Sequence, residues 1–399
     1  MTKTLKIILR SGKDDAIKRF HPWVFSGAIK KMEGPVFDGA RAEIFSNKDE
    51  YLGCGIYQDA TIAVRILAFA PSRPQAFDTA FWEEKLSAAY RLRETVGLTD
   101  APNTNVYRLV HGEGDHLPGL IIDHYNGHLV IQIHSTGLYG FIEPIADALK
   151  KIYGNQLKSI HDKSRDTLPA TFWKDKDPHQ QMFGVAGQVE VTENGHRFIV
   201  DIHEGQKTGF FIDQRENRQL LTHYVKNKKV LNTFCYSGGF SVYALKAGAS
   251  WVHSLDSSAR AMSLTEQNIL LNFEKTEKHK PITADAMEYL RQTDQKYEVI
   301  ILDPPAYAKH QHVKHNAVQG YKRLNMEALK AIAPNGILFT FSCSQVVDMN
   351  LFRSTVMAAA ILAGRQVRIL HQVTQPPDHP VNLFHPEGQY LKGLMLVVS

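Results

Sequence analysis

Cysteine is scarce in this chain. Its 399 residues include three, at positions 54, 235 and 343, and no two form a CxxC pair. That speaks against a disulfide framework and a cysteine-rich zinc site, and it suits a reducing cytoplasm. Long apolar runs are missing too. None approaches the ~20 residues a membrane helix needs, and the N-terminal "IIL" is too short for the apolar part of a signal peptide. The expectation is a cytoplasmic protein with no membrane association. Internal repeats and low-complexity tracts are also absent.

What is present has the balance of a globular protein. Apolar residues make up 43% and charged residues 22%, and the length suggests two or three domains. The net charge of +5 is a mild pointer to polyanions, and its distribution says more. Residues 1–31 hold eight Lys/Arg against Asp14 and Asp15, and residues 308–323 hold four Lys/Arg, three His and no acid. Either cluster alone is an ordinary solvated loop. Two together suggest nucleic acid or phosphate. The spacing in "KHQHVKH" lacks a carboxylate or thiol, so it reads as a polar loop and no metal site is assigned.

Three segments differ in pattern. Residues 1–72 mix short β-like runs such as "RAEIFS", "YLGCGIY" and "TIAVRILAF" with turns. The proline-bearing "APSRPQ" closes that segment as a linker. Residues 73–192 read as an α+β domain. A helix over "AFWEEKLSAAYRLRETVGL" precedes a hairpin around Asn126-Gly127, and a second helix lies over "GFIEPIADALKKIY". Residues 193–399 alternate strands and helices, which predicts a mostly parallel, doubly wound α/β sheet. Its last two strands, "QVRILHQV" and "KGLMLVVS", follow each other without a helix and predict an antiparallel edge hairpin.

In such a sheet, ligands bind beyond the carboxyl ends of the strands. The first strand ends in "TFCYSGGFS", where Gly238 and Gly239 let the backbone approach a ligand closely. Asp256 ends the next strand, eighteen residues after Gly238, where a carboxylate can accept from both ribose hydroxyls. A dinucleotide fingerprint would need a third spaced glycine, which is missing, so S-adenosylmethionine suits the site better. Asp285 ends the following strand-like run, within reach of an adenine amino group.

"DPPAYAK", Asp303 to Lys309, follows the fourth strand. Its prolines fix the backbone and leave the Asp303 carboxylate and the Pro304 carbonyl to meet a base edge, with Tyr307 to stack on it. Asp-Pro-Pro at this topological position points to methylation of planar nitrogen or carbon. Cys343, in "GILFTFSCSQV", ends the neighbouring strand. Alone it reads first as a small buried side chain. Facing the same pocket as Asp303, it reads as the nucleophile that adds to C6 of cytosine and activates C5. Asp303 would then stabilise a ring protonated during attack. A free thiol is only a few per cent thiolate at neutral pH, so nearby positive charge is expected. Lys309 and Lys322 are the local candidates, and the sequence does not choose between them. The base that removes the C5 proton is not assigned.

With these residues assembled, the chain resembles the bacterial 23S rRNA cytosine-C5 methyltransferases of the RlmI type. The resemblance runs through "HPWVFSGAI", "EGDHLPGLIIDHY", "KTGFFIDQRENR", "NTFCYSGGF", "LDSS", "DPPAYAK", "FSCS", "DHPV" and "YLKG", in that family's order. It implies a PUA-like RNA-binding domain over 1–72, an α+β middle domain over 73–192 and a Rossmann-like class I methyltransferase domain over 193–399. It also implies S-adenosylmethionine bound by Phe234, Tyr236, Gly238, Asp256, Asp285 and Asp303, with Cys343 as nucleophile and ribosomal RNA, naked or in an assembly intermediate, as partner. A homodimer is carried as one option for its assembly. Two departures are "CYS" where related sequences often have Ser-Tyr-Thr, and Ala306, which displaces the aromatic after Asp-Pro-Pro. Two other readings stand beside this one. A guanine or adenine N-methyltransferase would need no thiol, and a non-catalytic RNA-binding protein would need no cofactor set.

Overall fold

The computed structural model describes residues 4–174, 181–308 and 313–399. Lys309, His310 and His312 of the basic loop therefore lie outside the described residues. The chain divides into two compact units. Unit 1 comprises residues 1–189, 200–210 and 377–388, and unit 2 comprises 190–199, 211–376 and 389–399.

Unit 1 contains two sheets. The first holds β1 (Leu5–Leu9), β2 (Trp23–Phe25), β3 (Ile29–Glu33), β4 (Arg41–Phe45), β5 (Tyr51–Tyr57) and β6 (Ile62–Phe69), with a one-turn helix α1 (Asp15–Lys18) after β1. Its order is β2-β6-β5-β4-β1-β3. Only β1 and β4 pair in parallel. Leu5, Ile7 and Leu9 alternate inward and pack with Ala42, Ile44, Val64 and Ile66. Cys54 is wholly buried in β5, and burial raises its thiol pKa.

The helix α2 (Thr79–Thr95) leads to the second sheet. That sheet is built from β7 (Val106–His111), β8 (Leu120–Tyr125), β9 (His128–Ile133), β10 (Ser159–Asp162) and β11 (Gln181–Phe183), with α3 (Thr136–Tyr139) and α4 (Ile142–Tyr153) between β9 and β10. Asp78 caps α2 by accepting from the Phe81 N–H. The expected hairpin joins β8 and β9, and Asn126 and Gly127 both have positive φ, 50° and 88°, as its two-residue turn requires.

The segment 377–388 departs from the three-segment reading, because it returns to unit 1. The Arg108 N–H donates to Asp378 Oδ2 at 2.9 Å, and buried Arg93 donates to the Asp378 carbonyl at 2.9 Å while pairing with Asp115. Those partners are separated by some 270 and 285 residues of chain, which no local pattern reveals. A second feature not foreseen is the hairpin of β12 (Gln188–Glu193) and β13 (His196–Asp201), turned at Asn194 and Gly195 with φ of 49° and 78°.

Unit 2 is a seven-stranded sheet wrapped by helices. Its elements in chain order are α5 (Arg215–Leu221), β14 (Lys229–Thr233), α6 (Gly239–Lys246), β15 (Trp251–Asp256), α7 (Ala259–Asn272), β16 (His279–Thr283), α8 (Ala286–Gln292), β17 (Tyr297–Leu302), α9 (Lys314–Ala331), β18 (Ile332–Ser342), α10 (Met349–Ala363), β19 (Val367–Val373) and β20 (Lys392–Val398). The strand order is β16-β15-β14-β17-β18-β20-β19. The first five are parallel, and β20 runs antiparallel between β18 and β19, so the expected edge hairpin is present. Strands covered on both faces read as unbroken apolar runs. In β18 the buried stretch includes Leu338, Phe339 and Phe341, each worth about 1.5–3 kcal/mol of transfer free energy. Ser258 caps α7 by accepting from the Ala261 N–H.

Candidate active site

Strand β14 ends at Thr233, and the chain turns sharply into α6. Phe234, Tyr236 and Gly238 all have positive φ, at 55°, 46° and 74°. For the two aromatic residues this costs roughly 1–2 kcal/mol each. The neighbouring elements hold the loop in that shape. Tyr236 N–H donates to Asp256 Oδ2 (3.0 Å), Thr265 Oγ1 donates to the Tyr236 carbonyl (2.9 Å), and Asn268 Nδ2 donates to the Ser237 carbonyl (2.8 Å). At about 1 kcal/mol net apiece, these bonds offset the strain.

Protein packing also constrains the two glycines. A Cβ on Gly238 would lie 2.8 Å from Thr265 Cγ2, and one on Gly239 would lie 3.0 Å from Arg218 Cδ. Both glycines are required by protein packing, and Gly238 also by its φ. Cys235 is buried beside Met262 and Thr265, and burial pushes its thiol pKa up to about 12. It is a packing residue.

Asp256 faces this loop from the end of β15. Its Oδ2 holds Tyr236 N–H, and its Oδ1 accepts from Ser258 N–H at 3.0 Å. Each carboxylate oxygen has a second lone pair, so acceptor capacity for a vicinal diol remains. Asp285 is exposed and caps α8 through the Glu288 N–H at 2.9 Å. On the other side of the loop, the Phe211 ring meets Tyr236 edge-on at 5.2 Å. Arg218 is buried against Glu193 at 2.8 and 2.7 Å and also donates to the Phe211 carbonyl at 3.0 Å. Nothing in the local pattern of "FIDQRENR" marked Arg218 as the brace behind Gly239.

The second half of the site lies at the ends of β17 and β18, which are adjacent in the sheet. Asp303 is half-buried just beyond β17, and Cys343 is half-buried just beyond β18. The Cys343 thiol faces the Pro304 carbonyl at 3.9 Å. Ser344 ties the two loops together. Its Oγ accepts from the Ala308 N–H (3.3 Å) and shares a 2.9 Å hydrogen bond with the Tyr321 hydroxyl of α9. Tyr307 is displaced by Ala306 in sequence, and its ring packs on α9. It lies 4.7 Å from the Tyr321 ring, and a Cβ on Gly320 would touch it at 2.9 Å. Burial raises its hydroxyl pKa to about 12.

Among the described residues, Lys392 brings an ammonium group to the residue after Cys343, and the sequence analysis did not single it out. Lys392 opens β20 and is the register partner of Ser342. Its side chain is buried, and Nζ donates to the Ser344 carbonyl (2.7 Å) and the Tyr390 carbonyl (2.6 Å). Burial lowers its pKa to about 8, and the charge of Cys343 acts in the opposite direction. The signal was a lone lysine entering the apolar run "KGLMLVV". Lys322 is half-buried on α9 beside Tyr321.

One cluster of metal-ligand residue types exists among the described residues. His21, His385 and Glu387 of unit 1 bring ligand-type atoms within 4.8 Å. His21 Nδ1 accepts from the Trp23 N–H, which leaves the proton on Nε2, the nitrogen facing Glu387. That tautomer does not suit a metal.

The strand order, with one antiparallel strand inserted next to the edge, and the loop–carboxylate pair define a class I methyltransferase fold. Residues 170–383 match the family model described as S-adenosylmethionine-dependent methyltransferase, and residues 7–69 match that of a PUA-like domain. Among curated proteins, the chain is 36% identical to ribosomal RNA large subunit methyltransferase I of Shigella boydii, with 98% of each chain covered. The same figures hold for the protein of that name from Escherichia coli K12. Among solved structures, a chain described as a SAM-dependent methyltransferase from Streptococcus mutans superposes with a TM-score of 0.81 at 21% identity, covering 98% of this chain and 99% of that one. A methyltransferase solved in complex with SAH gives a TM-score of 0.83 at 21% identity and the same coverage. These two structures speak for the fold. The chain belongs to the S-adenosylmethionine-dependent methyltransferase family, and within it to the group of the ribosomal RNA large subunit methyltransferase I proteins. Its cofactor is S-adenosylmethionine, and a vicinal-diol acceptor at the end of β15 beside a braced glycine loop suits that molecule. Among the described residues, no helix is long and apolar enough to cross a membrane.

Proposed function

We propose that this protein methylates C5 of a cytosine in large-subunit (23S) ribosomal RNA, with Cys343 as the nucleophile. The observation that carries the reading is the meeting of the Cys343 thiol with the Pro304 carbonyl at 3.9 Å, at the ends of adjacent parallel strands. The names of the curated relatives support ribosomal RNA as the substrate.

S-adenosylmethionine supplies an electrophilic methyl group. Asp256 would accept hydrogen bonds from its ribose hydroxyls, Phe234, Tyr236 and Gly238 would form the loop around it, and Asp285 and Asp303 would complete the set that holds it. Cytosine C5 is too weak a nucleophile to attack such a methyl group unaided. The Cys343 thiolate adds to C6, and the ring electrons become available at C5. A bond would then form between C5 and the methyl carbon as the methyl–sulfur bond breaks and S-adenosylhomocysteine leaves. A base then takes the C5 proton, and the S–C6 bond breaks to return the thiolate and the aromatic ring. Asp303 and the Pro304 carbonyl recognise the N3 and N4 edge, so that a proton gained at N3 during attack is stabilised. Tyr307, braced on α9, offers its remaining ring face for stacking.

Support for an RNA footprint in unit 1 comes from its surface. Arg10, Lys13, Lys18, Arg19, Lys30 and Lys31 are exposed, although Lys18 and Lys31 are paired with carboxylates. Phe20, Phe25 and Phe37 are exposed on the same unit and can stack on unpaired bases.

The reading is tested by incubating the purified protein with methyl-labelled S-adenosylmethionine and unmodified large-subunit ribosomal RNA, followed by nucleoside mass spectrometry. Labelled 5-methylcytidine is expected. Label on an exocyclic nitrogen of guanosine or adenosine would refute it.

A further inference from the structure

We propose that Lys392 is the positioning residue that keeps Cys343 in its reactive thiolate form. This inference rests on the reading of Cys343 as nucleophile and adds the group that activates it.

The geometry is specific. Lys392 opens β20, the antiparallel strand beside β18, and is paired in register with Ser342, the residue before Cys343. Two of its three donors are taken, one by the Ser344 carbonyl at 2.7 Å and one by the Tyr390 carbonyl at 2.6 Å. The ammonium group is thereby clamped between the residue after Cys343 and its own strand. Tyr390 is fixed in turn, because its hydroxyl donates to Asp213 Oδ2 at 2.7 Å. A lysine almost never enters a buried strand without a reason, since burying its charge is costly.

The charges that favour its protonated form include those of Cys343 and Asp348. Asp348 is occupied in capping α10, accepting from the Leu351 N–H at 2.9 Å. Tyr321 faces Cys343 from α9, and its hydroxyl is bonded to Ser344 Oγ. Its own pKa is raised by burial, so it stays neutral in the working range and supplies no competing charge.

The proton balance is simple. The Cys343 S–H bond breaks and its proton leaves to water. The Lys392 ammonium stays protonated and holds the resulting thiolate by Coulomb attraction. When the S–C6 bond breaks at the end of the cycle, the thiolate returns to the same partner. An opposite charge nearby lowers a thiol pKa by roughly 1–3 units. Each unit raises the thiolate fraction near neutral pH about tenfold.

The test uses full-length protein without RNA. The rate of iodoacetamide alkylation at Cys343 is followed against pH by peptide mass spectrometry, with buried Cys54 and Cys235 as internal references. Lys392→Gln keeps an amide donor for the two carbonyls and removes the charge, whereas Lys392→Arg keeps both. The Gln variant should shift the alkylation midpoint upward by about one unit or more and slow the reaction at pH 7 roughly tenfold or more. The Arg variant should remain near wild type. An unchanged midpoint in folded Lys392→Gln would overturn the proposal.

Linkage provides a second arm that needs no change at Lys392. If the two charges are coupled, Cys343→Ala must shift the titration of Lys392 downward, read by NMR on reductively methylated lysines. An unaltered Lys392 titration in that variant would also overturn it. Neither measurement involves cytosine. A failure of the C5 reading would therefore leave both results standing, and a failure here would leave the C5 reading to its own test.

Discussion

The Cys343 thiol and the Pro304 carbonyl oxygen lie 3.9 Å apart, although 39 residues separate them in the chain. The contact exists because β17 and β18 are parallel neighbours, so both chains leave the sheet at the same edge. Ser344 then secures the arrangement through Ala308 and Tyr321. The loop carrying Asp303, Pro304 and Pro305 is thus fastened to the loop carrying the thiol.

Asp256 holds two backbone N–H groups and is proposed to hold the cofactor diol as well. Asp256→Ala removes the acceptor of two backbone N–H groups and of the cofactor diol. Cofactor affinity by calorimetry should fall about ten- to hundredfold, the range for hydrogen bonds to a charged group at ~1.5–3 kcal/mol. The melting temperature without cofactor should fall as well, because Tyr236 and Ser258 lose their partner. Unchanged affinity would remove Asp256 from the cofactor site.

Gly238→Ala should destabilise the protein by roughly 1–3 kcal/mol in denaturant unfolding. The new Cβ would meet Thr265 Cγ2 at 2.8 Å on a backbone with φ of 74°. Because the clash is with α7, the loss should appear without any ligand present. A neutral substitution would show that the loop has room to shift.

How much of this was legible in sequence depended on distance along the chain. The alternation from β14 to β20 and the Asn126-Gly127 turn are local patterns, and the structure contains both. The positions of Asp256, at the end of β15, and Cys343, just beyond β18, were legible because each is tied to the end of an apolar strand. Lys392 was not, because its relation to Ser342 arises only when β20 inserts between β18 and β19. The segment around Asp378 and the brace of Arg218 on Glu193 were hidden for the same reason. The packing of Thr265 against Gly238 and of Arg218 against Gly239 was not legible, because a short Gly-Gly step looks the same with or without a side chain behind it.

Acid should destabilise the protein through histidines that are buried or half-buried. Burial is the main cause that lowers the pKa of His124 to about 3 and that of His253 and His279 to about 4. Between those values and the unfolded value near 6.5, the unfolded chain binds more protons than the folded one. Their contribution is therefore complete above about pH 6.5 and is lost as pH falls toward 4. Thermal melts from pH 8 to 4 should show a midpoint falling below about 6.5, and a flat profile would contradict the burial of neutral rings.

The RNA footprint is better probed by charge than by truncation. Cys54, Ile56, Leu67 and Ala68 of the first sheet share a core with the α+β part of unit 1, so removing residues 1–70 would open that core. Replacing Lys13, Arg19 and Lys30 together by Gln should weaken RNA binding and reduce the slope of log K against log salt by about 2. An unaltered slope would place the footprint elsewhere.

The central claim is that Cys343 forms a covalent bond to the base it modifies. RNA carrying 5-fluorocytosine has no proton to lose at C5, so methyl transfer should leave the enzyme trapped on C6. With wild-type protein and cofactor, denaturing electrophoresis should show a stable protein–RNA adduct, and Cys343→Ala should form none. An adduct of equal yield in Cys343→Ala, or none with an active wild-type enzyme, would contradict the account.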